Sequence, residues 1–308
     1  MRLVSSAASA APVPADRGFL ARVGAYVALT KPRIIELLLV TTVPTMIVAE
    51  RGLPSVWLMV ATVVGGTLAA GGANAINMYV DRDIDAIMDR TRSRPLVTGA
   101  VTPTAALIFA LAIEAAAFVW LWVFVNLLSA VLALAACLFY VFVYTLWLKR
   151  TSTQNIVIGG AAGAVPVLIG WSAVTNSVAW PPIVLFAVIF FWTPPHFWAL
   201  AVRYKDDYAA VDVPMLPAVA SMRHTSERIV AYSVVVVALT LVFIPVGSMG
   251  WIYSVAAVLL GALFLWHALR VLRTGSEARA MGLFHYSITY LVLLFGAMAI
   301  DQLVASGT

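Results

Sequence analysis

Long apolar stretches broken by short polar ones dominate this chain. A helix needs about 20 residues to cross a hydrocarbon core. Read at that length, the runs predict nine spans, at 33–50, 56–78, 105–125, 127–148, 155–174, 180–202, 229–247, 251–271 and 283–304. Nothing in them shows the short alternating segments of an outer-membrane barrel. The expected fold class is an all-α polytopic membrane protein. Only Asn126 separates the third and fourth spans, so these two form a tight hairpin. Residues 1–24 are small, polar and Pro-containing, which predicts a flexible tail ahead of one membrane domain, 25–308. The tail has no apolar core, so it does not read as a secretory signal.

Composition agrees with the pattern. Hydrophobic residues make up 63% of the 308 positions and charged residues 11%, against about 45–50% and about 25% in soluble domains. Mean hydropathy is +0.98. The single cysteine, Cys137, lies inside an apolar run, which rules out internal disulfides and cysteine-based metal sites. The net charge of +5 gains meaning from its distribution: the predicted topology puts eighteen of the nineteen Lys and Arg on one side, leaving Arg51 alone on the other. Cationic loops stay in the cytoplasm, so the N-terminus is expected inside, the C-terminus outside, and no nucleic-acid partner is expected. Trp57, Trp180 and Trp251, near predicted outer ends, fit an interfacial aromatic belt.

The segment "NMYVDRDIDAIMDRTRSRPL", residues 77–96, carries four Asp and four Arg. No helix breaker precedes Arg94-Pro95, so a helix is expected to run on through the acids. At about 100° per residue, Asn77, Asp81 and Asp85 then form one column, with Asp83 pointing elsewhere and Asp89 drifting off the edge. Three oxygen-bearing side chains at a membrane rim suit Mg2+, which takes one or two carboxylates and fills its shell with water and phosphate. Arg90 and Arg94 would meet phosphate oxygens through forked hydrogen bonds. The bland alternative is a set of surface ion pairs, which would not explain an Asn and two Asp held in register.

A second acidic stretch follows span 6: in "FWTPPHFWALAVRYKDDYAAVDVPMLP", Asp206 and Asp207 stand beside Lys205, and Asp212 lies further on before a Val-Pro turn. Two such clusters facing each other across a bundle would hold Mg2+ ions around a diphosphate. Two acid-rich loops, each leaving an even-numbered span, also hint at an internal duplication. The prolines of "TPPH" are expected to kink or break their helix near His196, which is a packed core histidine or a contact for an acceptor substrate. Glu36 and Glu114 are costly at membrane depth unless paired; Glu36 is expected near the site, and Glu114 has no evident partner.

The first stretch resembles the aspartate-rich motif of the UbiA superfamily of intramembrane prenyltransferases. Asn77, Asp81 and Asp85 match its Asn and last two Asp, and Arg90, Thr91, Arg94 and Pro95 match its tail; Met78 stands where the family has Asp. "YKDDY" resembles the second motif, with altered spacing. Together with "TKPR" (30–33) and "TPPHFWALA", the chain resembles the heme-farnesylating branch. The resemblance implies farnesyl transfer from farnesyl diphosphate to the 2-vinyl group of heme B (protoheme IX), with water added, giving heme O. It also implies a multi-pass bacterial inner-membrane location, or else the mitochondrial inner membrane. The product would go to a heme A synthase or to terminal oxidase assembly. In this scheme Asn77, Asp81, Asp85, Asp206 and Asp207 position Mg2+, and Arg90, Arg94 and Lys205 neutralise the diphosphate. His196, Lys31 and Arg33 are candidates for heme contacts. The rival readings are a sister prenyltransferase acting on an aromatic quinone precursor, a cation transporter and a non-catalytic heme-handling factor. Transporter acids usually lie near mid-membrane, whereas these lie at one rim.

Overall fold

Where an apolar run begins, a short polar side chain repeatedly closes the first helical turn, whose N–H groups have no partner within the helix. Ser55, Thr102, Asn126 and Ser221 each accept a bond from the backbone N–H three residues on, at 2.8 to 3.3 Å. The computed structural model describes residues 18–307, apart from the side chains of 33–39. Residues 1–17 and the Arg33 and Glu36 side chains lie outside the described residues.

The described residues form helices joined by turns and short loops: α1 (Phe19–Leu29), α2 (Pro32–Glu50), α3 (Val56–Val80), α4 (Arg82–Asp85), a 3-10 turn at Asp89–Thr91, α5 (Pro103–Phe124) and α6 (Leu127–Leu138). A π-helical segment, Phe139–Leu148, and α7 (Lys149–Thr151) then extend α6 without a break. There follow α8 (Asn155–Thr175), α9 (Trp180–Arg203), α10 (Lys205–Ala209), α11 (Leu216–Val219), α12 (Met222–Val246), α13 (Trp251–Thr274) and α14 (Glu277–Ser306). Among the described residues, eight of these segments are long and apolar enough to cross a membrane. The described apolar stretch of α2, Val40–Glu50, is shorter.

Several boundaries differ from expectation. Helix α1 starts at Phe19, inside the segment read as tail. The Asn126 hairpin is tight, as expected: its side chain caps α6 and also donates to the Ser172 carbonyl at 2.7 Å. The prolines at 194 and 195 do not break α9, which continues to Arg203. Helices α12 and α14 begin earlier than their apolar runs because their first turns carry charged residues that need no hydrocarbon around them.

The long helices close into a bundle. α3 packs on α5; α8 packs on α2, α6 and α9; α12 bridges α9 and α13; and α14 returns to α2 and α9. Lipid tails are as apolar as leucine, so helix contact in a membrane relies on close van der Waals approach and small residues. Gly170 of α8 shows this best, since a Cβ there would lie 2.6 Å from the Thr42 carbonyl oxygen. Many large apolar side chains also point outward, and Trp57, Trp180 and Trp251 stand exposed on the first turns of α3, α9 and α13.

At the end opposite the acidic motifs, buried Asp301 of α14 accepts from the backbone N–H groups of Gly250, Ile252 and Tyr253. It thus caps the start of α13 with a carboxylate borrowed from its neighbour. Asp301→Ala should destabilise the bundle by about 1–3 kcal/mol, since three N–H groups lose their acceptor, and Asp301→Asn by less. Thermal unfolding in detergent should rank the variants in that order.

Candidate active site

The acidic column forms, but not on an unbroken helix. Helix α3 ends at Val80, Asp81 is its last cap, and α4 is a single turn. The backbone bonds Asp81 N–H to Asn77 O and Asp85 N–H to Asp81 O, both 2.9 Å, carry the i to i+4 spacing across the junction. Asn77, Asp81 and Asp85 are all buried, at 3%, 0% and 2% exposure. Asp89 falls beyond the column and pairs with Arg92 at the surface. Asp83 points away as expected and takes both guanidinium nitrogens of Arg150, at 2.7 and 2.8 Å, which holds its carboxyl down at about 2.

Each acid of the column meets a cation. Lys149 binds Asp81 and Arg94 binds Asp85. The Asn77 amide donates to Asp81 at 2.8 Å and to Thr145 at 3.1 Å, while its oxygen accepts from Lys31 at 2.7 Å. Lys31 reaches this point from a left-handed backbone conformation, φ 53°, directly before Pro32. Strained backbone of this kind gathers at functional sites. Burial, with Arg94 and Lys149 close by, pushes the Lys31 ammonium down to about 7.

Lys149 owes its place to the π-helical segment. In an α-helix at 3.6 residues per turn, nine residues make two and a half turns, which would put Tyr140 and Lys149 on opposite faces. With i to i+5 bonding, at about four and a half residues per turn, nine residues make two turns. The Thr145 hydroxyl bonds the carbonyl five residues back, at Tyr140. Tyr140, Tyr144 and Lys149 therefore all line one cavity, with the two tyrosine rings stacked at 5.3 Å. Gly159 of α8 leaves room for the Tyr144 ring.

That cavity, about 350 Å³, has a polar mouth and an apolar body. Lys31, Asn77, Asp85, Arg90, Arg94 and Lys149 form the mouth. Small residues of α3, α6 and α8, among them Gly66, Ala69, Ala136 and Gly163, line the body. Asp81 does not face the cavity, because Lys149 and Asn77 cover it. Its Oδ1 has no hydrogen-bond partner, and the Arg150 guanidinium stands 3.8 Å from it. An orphaned carboxylate oxygen beside a second acid and an amide suits Mg2+, which needs few protein ligands. Water and phosphate would have to fill the rest of its shell, since among the described residues no three His, Cys, Asp or Glu side chains converge.

The second acidic loop meets the first through Asp207, which accepts from the Arg90 backbone N–H at 3.4 Å. The Arg90 guanidinium lies over the Tyr204 ring, and Tyr208 lines the cavity. Asp206 and Lys205 are exposed and Lys205 makes no ion pair among the described residues. Asp212 sits in an exposed loop with left-handed backbone. His196 is turned away from the cavity: its Nδ1 bonds the Ser287 hydroxyl at 2.7 Å, and its ring stacks between Trp192 and Phe284. The structure therefore favours the packed-core reading of His196 over a heme contact, and it puts Lys31 with Asn77 rather than at a separate acceptor site. Lys149, Thr145, Tyr140 and Tyr144 were not singled out from sequence. A positive charge ending a span, one residue before another, was their only local signal.

Residues 38–295 match the UbiA prenyltransferase family. A Streptomyces coelicolor relative, a protoheme IX farnesyltransferase, is 54% identical over 294 residues, covering 94% of this chain and 93% of its own length. A Frankia alni protein of the same name is 57% identical over 287 residues, covering 92% of this chain and 99% of its own. Among solved structures, a digeranylgeranylglyceryl phosphate synthase superposes with TM-score 0.75 at 16% identity, over 92% of this chain and 99% of that one. A UbiA homolog from Archaeoglobus fulgidus bound to GPP and Mg2+ gives TM-score 0.62 at 16% identity, over 89% and 99%.

The two lysine–arginine neighbours should separate in stability. Lys149→Met leaves the Asp81 carboxylate buried with its cation gone and should cost about 3–5 kcal/mol. Arg150→Met breaks a largely solvated contact and should cost under about 1 kcal/mol. Thermal melts of both variants in the same detergent read the difference.

Proposed function

The chain belongs to the UbiA prenyltransferase family, and from that premise we propose that it farnesylates heme B. Farnesyl diphosphate is the donor, the 2-vinyl group is the acceptor, water is added and heme O is the product. The observation that carries the reading is the cavity's division into a charged mouth and an apolar body, which matches a diphosphate joined to an isoprenoid chain. The full-length likeness to farnesyltransferases that act on protoheme IX supports the acceptor.

In this mechanism Lys31, Lys149, Arg90 and Arg94 bind the diphosphate oxygens. Asn77, Asp81 and Asp85, with Asp207 from the facing loop, would hold Mg2+, which supplies Lewis-acid stabilisation of the leaving group. Exposed Lys205 takes an outer role in attracting the charged head, and Asp206 stays outside the cavity lining. The small-residue walls hold the farnesyl chain extended and keep water from it. As the C–O bond breaks, positive charge develops at the allylic carbon, and the stacked faces of Tyr140 and Tyr144 are placed to stabilise it. The vinyl π-electrons then form the new C–C bond. Water adds to the cation left beside the porphyrin and releases a proton. Fixed charges aimed at the departing diphosphate do most of the work, as in other preorganised sites.

The same reading takes α2 as a ninth span and puts the acidic end in the cytoplasm, as the bias of Lys and Arg requires. A bacterial inner membrane is the expected location.

Purified protein supplied with heme B, farnesyl diphosphate and Mg2+ should yield a heme heavier by one farnesyl group plus water. Chelation of the metal should stop it. Asp81→Ala and Asp85→Ala should each lower turnover by about 10²-fold or more, the scale of losing one preorganised electrostatic contact. Full activity in both variants, with folding intact, would remove the acidic column from the mechanism. With 4-hydroxybenzoate in place of heme B, no prenylated product is expected.

A further inference from the structure

Helices α13 and α14 are linked only by Gly275 and Ser276 and pack against each other as an antiparallel pair. On α14, Arg279, Tyr286 and Leu293 recur every seven residues, close to two turns, and so share one face. On α13, Leu263, His267 and Arg270 share the face that meets it. The His267 ring stacks on Tyr286 at 4.7 Å, and the Tyr286 hydroxyl donates to the Leu260 carbonyl of α13 at 2.9 Å. The guanidinium charges of Arg270 and Arg279 both act on the His267 ring. Arg270 also lies over the exposed Trp266 ring, 4.6 Å from its centroid.

No acid answers these arginines. The two helices carry only Glu277 and Asp301. Asp301 caps α13 at its far end, and Glu277 stands about 200° around α14 from Arg279. Neither the Arg270 nor the Arg279 guanidinium forms an ion pair or a side-chain hydrogen bond among the described residues. Deeper along the seam come the rings of His267 and Tyr286, then Leu263 and Leu293, which are 47% and 50% exposed on the outer surface. From Arg279 to Leu293 the face rises about 21 Å, half of the roughly 40–45 Å of a bilayer with its head groups. Cations, then rings, then hydrocarbon therefore follow one another over the depth of a single leaflet.

We propose that the α13–α14 seam binds an anionic phospholipid from the leaflet on the side of the acidic motifs, its phosphate held between Arg270 and Arg279. Guanidinium groups meet phosphate through forked, charge-assisted hydrogen bonds, and basic pockets between helices at a membrane edge take anionic head groups. The lipid's ester region lies against His267 and Tyr286, and an acyl chain runs down over Leu263 and Leu293. Charge complementarity selects this occupant. A choline head group would bring a further cation to a place with no acid, and free phosphate would leave the apolar part of the seam uncovered. The site stands apart from the diphosphate mouth and does not depend on the reaction proposed there.

Full-length protein in phosphatidylcholine vesicles, doped with a trace of photoreactive phosphatidylglycerol or of photoreactive phosphatidylcholine, tests this. Peptide mapping should find the glycerol lipid on α13 and α14 in about fivefold or greater excess over the choline lipid, the scale of one arginine at an anionic surface. Arg270→Gln with Arg279→Gln should bring that labelling down to the choline level. Arg279→Gln alone, at an exposed position, should lower it too, which keeps the test decisive if the double variant fails to fold. Arg223→Gln with Arg228→Gln removes the same charge from α12 at the same rim and should leave α13–α14 labelling at the parent's level. Equal labelling by the two lipids, an equal loss in the α12 variant, or displacement of the lipid by inorganic phosphate would overturn the proposal. None of these results bears on heme farnesylation, which is read by product mass.

Discussion

Opposite charges withdrawn from water together are the constraint on which this molecule turns. Asp81 with Lys149 and Asp85 with Arg94 are ion pairs whose acids have 0% and 2% exposure. Burying one such charge alone costs several kcal/mol even after relaxation, and the pair repays this only with good geometry and further hydrogen bonds. Asn77 supplies those bonds, linking Asp81, Thr145 and Lys31 in one network. Four separate stretches of chain must therefore arrive together: the end of α3, the corner before α2, the end of the π-helical segment and the loop that carries Arg94.

Each arrival needs a local departure from regular structure. The corner at Lys31 adopts left-handed backbone and is tied to α3 where the Asn74 amide donates to the Thr30 carbonyl at 3.1 Å. Helix α3 stops at Asp81 and restarts for one turn, which frees the chain to fold back so that Arg94 reaches Asp85. The hydroxyl of Thr91 secures that return by donating to the Asp85 carbonyl at 2.8 Å. The π-helical register turns Lys149 inward. Regular helices would hold the bundle equally well but would scatter these groups, so the irregularities serve the site and not the fold.

This division explains what could be read from sequence. Spans were legible because an apolar run of bilayer length has few other solutions, and Asn126 was legible because one polar residue between two such runs must turn the chain. The column of Asn77, Asp81 and Asp85 was legible because i to i+4 spacing survives a helix junction. Lys149 was not, because its direction depends on a change of helical period that no single residue announces. His196, beside two prolines, left a packed core residue and an acceptor contact both open, and Trp192, Phe284 and Ser287 engage its ring in the core. Of the two neighbouring acids at 206 and 207, only the contact with Arg90 tells them apart, and that contact is long-range.

The covering of Asp81 by Lys149 links the resting charge balance to the proposed chemistry. A mouth of uncompensated cations would repel itself in so poor a dielectric, and a mouth of bare acids would repel a diphosphate. Paired, the two sets hold each other in place, and one buried oxygen of Asp81 is left without a bond. A diphosphate arriving with divalent metal brings both signs at once. Lysine and arginine can transfer to phosphate oxygens while the carboxylates transfer to metal, so no charge is left unpartnered during the exchange. In the proposed reaction the ion pairs would be placeholders for substrate and metal, and the free energy that stabilises them would set how tightly both must bind before the allylic bond breaks.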